Sequence, residues 1–571
     1  MSKENIIEFS DFNFQYFTQA KPTLHNINLS IKKGEKILIV GPSGSGKSTL
    51  GHCLNGLIPF SYNGEITGSL KILGQETQNM DIFKLSKILG TVLQDPDGQF
   101  VGLSVYEDIA FALENDNIPQ LEMKERVHKA AVMVDMESFH SSSPYELSGG
   151  QKQRTSLAGV LVDDVDILLF DEPLANLDPA TGKAAIEIID DIHKDTDKTI
   201  IIIEHRLEDV LHRNIDRVIL MSDGYILADM DADTLMASPV LIDNGIREPL
   251  YVTALKYAGV DVTKQLRAGH IESLQIEAIQ RALQDWNATV VADQPAEKQD
   301  TLLELQNISF SYDGVRPIID DVSFKLEKGE LIAIVGKNGA GKSTLSRLVS
   351  GFEKESKGTI SYLGEDMSDL TIKERAEKIA VVMQNPNQMI SKALIYDEVA
   401  LGLRLRNIEE DEIAERVEKV LKVCGLAPFR KWPIAALSFG QKKRVTIASI
   451  LVLNPEIIIL DEPTAGQDFK HYTQIMEFVN EINRLGVAII LITHDMHLML
   501  EYASRAIVIS GGKKIADARP SDILTDPEII EQANLKETSL YQLSQSVGIA
   551  DGTAFVQNFI DFEKKVRAIE Q

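Results

Sequence analysis

The stretch Gly41-Pro42-Ser43-Gly44-Ser45-Gly46-Lys47-Ser48-Thr49 decides the fold and fits the pattern G-x-x-x-x-G-K-[ST]. The apolar run Lys36–Val40 before it predicts a buried strand, and residues 50–57 after it predict the start of a helix. In such a unit the glycines let backbone N–H groups converge on a phosphate, and the helix N-terminus adds partial positive charge. Lys47 can then reach the outer phosphates and the Ser48 hydroxyl can ligate Mg²⁺. The stretch therefore predicts a nucleotide-binding loop.

The same construction returns in the second half of the chain, at residues 336–344 after the apolar run Leu331–Val335. Two coincidental glycine-rich turns are the alternative, but two chance matches in one chain are expected in roughly fewer than one sequence in a hundred. We therefore predict two phosphate-binding loops. Their candidate ligands are Gly41, Ser43, Gly44, Gly46, Lys47, Ser48 and Thr49, and in the second copy Gly336, Asn338, Gly339, Gly341, Lys342, Ser343 and Thr344.

A chain of 571 residues is too long for one hydrophobic core and predicts about two to four domains. Its 44% hydrophobic and 25% charged residues are ordinary for a soluble globular protein, and its longest apolar runs are only strand-sized. The net charge of −27 argues against a nucleic-acid partner, because proteins that grip phosphate backbones carry basic faces. The N-terminus has no apolar signal region, and Cys53 and Cys424 make no metal or disulfide framework. We therefore expect a cytoplasmic protein, unless a partner holds it at a membrane.

The chain is one unit written twice. Lys47 and Lys342 lie 295 positions apart, whereas three later pairs of landmarks lie 290 apart: Gln94 and Gln384, Leu147 and Leu437, and Asp171 and Asp461. The first copy therefore has about five extra residues, which we place in the turn-rich stretch 59–64. A repeat of this length is a duplicated domain rather than a solenoid.

Each copy begins with strands of period two and continues with near-continuous β-branched runs that alternate with helices. This alternation predicts an α/β fold with a parallel sheet covered on both faces. Tyr251 and Tyr541 are again 290 apart, so each half also ends in a small accessory element, for which plain packing or dimerisation are the alternatives. The predicted boundaries are 1–240 and 301–530 for the main domains, 241–291 and 531–571 for the accessory elements, and 292–300 for the linker.

Two acidic pairs follow apolar runs, at Asp171 with Glu172 and at Asp461 with Glu462. Carboxylates at the carboxyl end of a parallel strand lie in the crevice where ligands bind. The aspartate is placed to hold Mg²⁺ through water, and the glutamate is the natural general base for an attacking water. A solvated loop is the alternative interpretation of such a pair.

Residues 147–151 (Leu-Ser-Gly-Gly-Gln) and 437–441 (Leu-Ser-Phe-Gly-Gln) each precede a helical run. A serine hydroxyl, glycine N–H groups and a helix N-terminus can make an anion site, although a helix cap is the alternative. The candidate residues are Ser148, Gly149, Gly150, Gln151, Ser438, Gly440 and Gln441. Together with the phosphate loops and the Asp-Glu pairs, they resemble the ABC ATPase superfamily over nearly the whole chain, twice.

This resemblance implies two tandem P-loop ABC ATPase domains, each a mainly parallel sheet with helices, an antiparallel β subdomain and a helical subdomain. It implies that the halves close head to tail on two ATP molecules with Mg²⁺, so that Lys47 would share a site with Ser438 and Gly440, and Lys342 with Ser148 and Gly150. The resemblance also assigns Gln94 and Gln384 as the glutamines that sense Mg²⁺ and the partner, and His205 and His494 as the switch histidines. It assigns Asp178 and Asp468 as interface aspartates, and Tyr16 and Tyr312 as the tyrosines that stack on adenine. With Glu172 and Glu462, these imply two hydrolysing sites.

Residues 95–100 (Asp-Pro-Asp-Gly-Gln-Phe) resemble a segment of energy-coupling-factor ATPases, which power vitamin and metal-ion uptake. Residues 385–389 depart from it, and an ordinary loop is the alternative. The narrower resemblance implies a peripheral subunit on the cytoplasmic face of the cell membrane, bound to a transmembrane coupling subunit and a substrate-binding membrane subunit. The rival is a soluble tandem-ABC translation factor acting on ribosomes, but such factors have a long charged helical arm where this chain has an accessory element and a short linker.

Overall fold

The computed structural model describes residues 4–94, 98–175, 177–290, 299–464 and 467–570. Residues 95–97 of the predicted energy-coupling-factor segment 95–100, and most of the predicted linker 292–300, lie outside the described residues. The chain divides into two compact units, Met1–Trp286 and Asn287–Gln571. The finer domain boundaries given above stay predictions.

The first unit contains ten strands and twelve α-helices among its described residues. The strands are β1 Asn5–Tyr16, β2 Leu24–Lys32, β3 Lys36–Val40, β4 Gly64–Ile72, β5 Gln75–Glu76, β6 Leu89–Val92, β7 Ile167–Asp171, β8 Thr199–Ile203, β9 Arg217–Ser222 and β10 Tyr225–Met230. The helices are α1 Lys47–Leu54, α2 Leu57–Phe60, α3 Ile82–Ser86, α4 Val105–Asn115, α5 Gln120–Met133, α6 Gly149–Leu161, α7 Pro179–Asp195, α8 Leu207–Val210, α9 Ala232–Met236, α10 Val240–Asp243, α11 Leu250–Tyr257 and α12 Ile276–Thr289, the last of which contains the division point.

Over its described residues the second unit repeats this order, except that it has no counterpart of α2. Its strands are β11 Thr301–Phe310, β12 Ile319–Glu327, β13 Leu331–Val335, β14 Lys357–Tyr362, β15 Glu365–Asp366, β16 Ile379–Val382, β17 Ile457–Asp461, β18 Ala488–Ile492, β19 Arg505–Ser510 and β20 Lys513–Ala518. Its helices are α13 Lys342–Ser350, α14 Ile372–Arg375, α15 Ile395–Arg404, α16 Glu410–Val423, α17 Phe439–Leu451, α18 Phe469–Arg484, α19 Met496–Tyr502, α20 Pro520–Ile523, α21 Pro527–Ala533, α22 Ser539–Ser546 and α23 Gly552–Glu570.

A six-stranded sheet forms the centre of each unit, in the order β10-β9-β3-β8-β7-β6 in the first and β16-β17-β18-β13-β19-β20 in the second. Its strands pair in parallel except at the β9–β10 and β19–β20 edges. The strand β8 is buried at every position, as its continuous run of isoleucine predicts for a parallel sheet covered on both faces. The predicted α/β class is confirmed.

A four-stranded antiparallel sheet packs against one face of the parallel sheet in each unit, in the orders β2-β1-β4-β5 and β12-β11-β14-β15. In the first unit a core of buried side chains from β1, β2, β3 and α1 joins the two sheets, including Phe12, Phe14, Ile37 and Leu50. The period-two residues Ile27, Leu29 and Ile31 belong to this core, because alternate side chains of β2 face inward. The core therefore fixes α1, and with it the end of the phosphate loop, against both sheets.

The predicted accessory elements are helical in both units. In the first, the buried Tyr251 of α11 donates its hydroxyl to the carbonyl of Ala268 at 2.8 Å. In the second, Arg567 of α23 donates to the Tyr502 hydroxyl at 2.9 Å and lies 3.0 Å from a Glu501 oxygen, so α23 is tied to the end of α19. Within the described parts of the chain, no helix is both long and apolar enough to cross a membrane.

Candidate nucleotide-binding and hydrolysis sites

The parallel topology brings the candidate residues to one edge of each sheet. In the first unit the phosphate loop follows β3, Gln94 follows β6, Glu172 follows β7 and His205 comes two residues after β8. These strands are parallel neighbours, so their carboxyl ends meet at the same edge. The corresponding strands of the second unit are β13, β16, β17 and β18. Each unit therefore gathers its own set of these groups.

The phosphate loop closes on a glycine that directly precedes the helix. Gly46 has a φ of 98° and Gly341 a φ of 103°, in the left-handed region that favours glycine. A Cβ at Gly46 would also lie 2.9 Å from a methyl of Leu24, and one at Gly341 would lie 2.6 Å from a methyl of Ile319. These positions therefore require glycine for both backbone conformation and space.

The loop wraps around the ammonium group of its lysine. Lys47 Nζ donates to the carbonyls of Gly41 at 2.7 Å and Pro42 at 3.0 Å, and Lys342 makes the same two bonds to its own loop at the same distances. Both lysines are buried, so their charge is held under the loop. A buried positive charge beneath a helix N-terminus is an arrangement that attracts phosphate.

The aspartates at the ends of β7 and β17 carry raised pKa values. Burial, reinforced by the negative charge of Glu172, raises the pKa of Asp171 to about 6, against the opposing effects of Lys47 and the Ser48 hydroxyl. Burial and Glu462 likewise raise the pKa of Asp461. One carboxylate oxygen of Asp171 is buried without a hydrogen-bond partner. An unsatisfied carboxylate oxygen beside a serine hydroxyl fits a hard divalent cation such as Mg²⁺.

Both glutamates have an unusual backbone conformation. The φ of Glu172 is 50° and that of Glu462 is 45°. Their backbone N–H groups donate to the carbonyls of Ile203 at 2.8 Å and Ile492 at 2.9 Å, which anchors each glutamate to the next strand. Left-handed conformations of residues other than glycine cost about 1–3 kcal/mol and cluster at functional sites. The same strained geometry at both positions supports a functional role for the two carboxylates.

The two glutamate carboxylates have different partners. In the first unit Gln94 Nε2 donates to Glu172 Oε2 at 2.6 Å, while His205 Nδ1 lies 3.9 Å from Glu172 Oε1. In the second unit His494 Nδ1 lies 2.7 Å from Glu462 Oε1. The same residue types therefore form two different hydrogen-bond arrangements.

The signature serines cap their own helices. Ser148 Oγ accepts from the N–H of Gln151, and Gln151 Oε1 accepts from the N–H of Ser148 at 2.9 Å. Ser438 and Gln441 repeat this capping box at the start of α17. The cap interpretation therefore describes the local geometry, in which Gly149 and Gly150, with Phe439 and Gly440, form the first helical residues.

The candidate interface aspartates, Asp178 and Asp468, also cap helices. Asp178 Oδ1 accepts from the N–H of Thr181 at 2.9 Å, and Asp468 Oδ1 accepts from the N–H of His471 at 2.9 Å. Both are buried, so each holds the start of the helix that follows the glutamate loop.

The candidate adenine-stacking tyrosines lie beside the phosphate-loop helices. The hydroxyl of Tyr16 is 3.1 Å from Thr49 Oγ1, and that of Tyr312 is 3.5 Å from Thr344 Oγ1. The ring of Tyr62, from the stretch predicted to hold the five extra residues, lies edge-on to Tyr16 with centroids 6.3 Å apart. The ring of Tyr16 is consequently half-buried, whereas Tyr312 is 55% exposed.

Sequence reasoning missed Lys443, a lysine on α17 that is only 1% exposed. Its Nζ donates to the carbonyl of Met383 at 3.0 Å and to that of Gln384, so it anchors the end of β16. Burial lowers the pKa of Lys443 to about 8, although the negative charges of Asp461 and Glu462 oppose this shift. Gln153 occupies the same place in the repeat. The available signal was therefore a lysine in one copy opposite a glutamine in the other.

The family model described as ABC transporter matches residues 24–175 and 319–465. A second model, described as ATP-binding cassette cobalt transporter, matches residues 238–310. The predicted resemblance to the ABC ATPase superfamily is confirmed by these matches and by the relatives that follow.

Curated relatives match the chain over nearly its whole length. An ABC transporter ATP-binding protein of Clostridium perfringens is 59% identical over 99% of this chain and 100% of its own. One from Vibrio parahaemolyticus is 55% identical over 98% of this chain and 97% of its own. Among solved structures, cbiO1 from Clostridium perfringens, part of the ABC transporter complex cbiONQ, is 34% identical over 41% of this chain and 95% of its own, with a TM-score of 0.39.

Proposed function

The chain belongs to the ABC transporter family of ATP-binding proteins, and we propose that it is the ATP-hydrolysing energy-coupling subunit of an energy-coupling-factor-type importer. It is an ATPase with two ABC domains in one chain. The observation that carries the importer assignment is the match of residues 238–310 to a family model described as a cobalt transporter. The proposed cargo is a vitamin, a vitamin precursor or a metal ion, which separate membrane subunits would carry.

The residues of each unit are assigned roles by their chemistry. The phosphate loops and their lysines, Lys47 and Lys342, bind the β- and γ-phosphates, and the tyrosines stack on adenine. Glu172 and Glu462 accept a proton from the attacking water, and the backbone N–H of each residue fixes it to the adjacent strand. The residues that would hold Mg²⁺, which neutralises charge developing on the phosphates, are Ser48, Asp171 and Gln94 in one unit and Ser343, Asp461 and Gln384 in the other.

The histidines complete each site in our proposal. His205 and His494 each lie within 4 Å of a carboxylate oxygen of the general base of their unit. An imidazole at this position can donate a hydrogen bond to a γ-phosphate oxygen while its other nitrogen faces the glutamate. The histidine then reports to the base whether a γ-phosphate is present.

We also propose that the two units close on a pair of ATP molecules, each held by the phosphate loop of one unit and the signature of the other. Cysteines replacing Ser43 and Phe439, which are both exposed in their own units, are expected to form a disulfide when ATP is bound and hydrolysis is blocked. Asn338→Cys with Gly149→Cys is the reciprocal pair. The native Cys53 and Cys424 are buried, so we do not expect them to form disulfides with the introduced cysteines. Gel mobility after mild oxidation measures the product.

The matched controls re-pair the same substitutions within a unit, Ser43→Cys with Gly149→Cys and Asn338→Cys with Phe439→Cys. We expect these controls not to cross-link. If the controls cross-linked and the test pairs failed to do so in every nucleotide state, ATP would not be held between the two units. Each unit would then act alone.

Affinity purification of the tagged chain from detergent-solubilised membranes tests the importer assignment. We expect integral membrane proteins to co-purify in a constant ratio to the chain, because the free energy of ATP-driven closure must be passed to subunits that cross the bilayer. The rival translation factor predicts recovery with ribosomes instead. Recovery with ribosomes and without a membrane partner would overturn the proposal. The net charge of −27 already disfavours an RNA surface.

A further inference from the structure

Glu204 is a fully buried carboxylate, with 0% of its surface exposed, directly after β8. Its Oε1 accepts from the backbone N–H groups of His205 at 2.8 Å and Arg206 at 3.2 Å. Its Oε2 accepts from the N–H of Leu174 at 3.2 Å. Burying a carboxylate is expensive unless hydrogen bonds compensate it, and three backbone donors supply that compensation.

These bonds connect two segments that both lie beside the general base Glu172. Leu174 lies two residues after Glu172, and His205 is the switch histidine of the same unit. The ring of His205 is also drawn toward Glu204, with Nδ1 3.3 Å from Glu204 Oε1 and 3.9 Å from Glu172 Oε1. Glu172 is consequently left to hydrogen bond with Gln94.

The second unit fills the same place with Thr493, which is also 0% exposed. Its hydroxyl accepts from the N–H of Asp495 at 3.0 Å and lies 3.4 Å from a Glu462 oxygen. Asp495 caps α19, and His494 turns its Nδ1 to Glu462 at 2.7 Å. A threonine hydroxyl therefore joins this histidine segment directly to the glutamate.

Arg206 completes the arrangement of the first unit where the second has Asp495. It donates to the carbonyl of Leu174, and its guanidinium lies 3.5 Å from a carboxylate oxygen of Asp209. Glu204 and Arg206 therefore grip the N–H and the carbonyl of the same residue, Leu174. The triplets 204–206 and 493–495 are two alternative hydrogen-bond arrangements around one switch histidine.

We propose that Glu204 is a positioning residue for His205, acting with Arg206, and that the two hydrolysis sites are consequently non-equivalent. The first site presents Glu172 paired with Gln94, and the second presents Glu462 paired with His494. This inference rests on the proposed hydrolysis of ATP at both units. It goes beyond the roles assigned above, which give Glu204 no part in binding or hydrolysis.

The first test uses the full chain carrying Glu462→Gln, so that the remaining turnover comes from the first unit. Adding Glu204→Thr is expected to lower kcat about tenfold, because misplacing a catalytic group by a fraction of an ångström is enough for such a loss. The KM for ATP should change less than about twofold, since the phosphate loop is untouched. Adding Arg206→Asp as well installs the triplet of the second unit and should restore kcat to within about threefold. An unchanged kcat in the first variant, or no rescue in the second, overturns the inference.

Hydrogen exchange at the amides of Leu174, His205 and Arg206 gives a test that does not need turnover. Glu204→Ala should accelerate exchange at these amides by roughly tenfold or more, because alanine removes their common acceptor. Thr493→Val, the matched change in the second unit, should leave them as they are. Unchanged exchange overturns the inference, as does acceleration throughout α7 and β8, which would show unfolding. If the unmodified chain hydrolyses no ATP, the proposed function fails, and the exchange result still decides the role of Glu204.

Discussion

Replacing Glu172 and Glu462 by glutamine in one chain is expected to lower ATP turnover by about 10²–10⁴-fold while ATP stays bound. Glutamine keeps the size and shape of the side chain but cannot accept the proton of the attacking water. The backbone anchors to Ile203 and Ile492 use the N–H group and are unaffected by the change. The phosphate loops follow β3 and β13, whereas the glutamates follow β7 and β17, so we expect Lys47 and Lys342 to keep their positions.

Steady-state phosphate release and retention of labelled ATP through gel filtration measure the two effects. The matched control is Glu122→Gln with Glu412→Gln, two helix-surface residues that occupy the same position of the repeat and pair with Arg126 and Arg416. Exposed pairs of this kind contribute only about 0.3–0.5 kcal/mol, so the control should hydrolyse ATP normally. Unchanged turnover in the double glutamine variant would remove both glutamates from the role of base.

Much of the fold follows from the sequence for local reasons. The run Lys36–Val40 is buried at all five positions, as an apolar β-branched strand between a turn and a phosphate loop should be. The alternation in 27–31 and 322–326 gives one inward face on β2 and β12. Once these strands are parallel neighbours, chain connectivity alone places the groups that follow β6, β7 and β8 at one edge. The repeat then applies the same result twice.

The hydrogen-bond partners within the site could not be predicted, because they depend on side-chain placement across distant segments. Gln94, His205 and Glu204 all reach the surroundings of Glu172, and nothing in their spacing indicates which of them bonds to it. Aligning the two copies assigns the same role to the same residue type, so it does not reveal that Glu172 and Glu462 have different hydrogen-bond partners. The informative positions were those where the copies differ, such as Glu204 against Thr493 and Gln153 against Lys443.

Replacing Asp171 and Asp461 by asparagine is expected to abolish Mg²⁺-dependent hydrolysis and yet to stabilise the nucleotide-free chain at neutral pH. Burial and the adjacent glutamate raise the pKa of Asp171 from 3.8 to about 6, so ionisation at pH 7 opposes folding. For an acid with a raised pKa the folded state binds more protons than the unfolded state between these two values, and stability falls as pH rises across them. Neutral asparagine escapes this penalty, which is up to about 3 kcal/mol for a shift of this size.

Thermal unfolding of the nucleotide-free chain at pH 4 and pH 7.5 checks the sign. The gain in Tm from Asp171→Asn should be present at pH 7.5 and should nearly vanish at pH 4, where the aspartate of the folded protein is already protonated. Asp135→Asn, at an exposed carboxylate paired with Arg154, serves as the control and should show little change at either pH. An equal gain at both pH values would contradict a burial effect on ionisation. With saturating ATP and Mg²⁺ the order should reverse, because the unsubstituted chain alone gains the full stabilisation from binding the metal–nucleotide complex. The electrostatic penalty that Asp171 imposes on the nucleotide-free fold is thus removed when a cation neutralises its charge, so the same carboxylate stabilises the fold that has bound the metal–nucleotide complex.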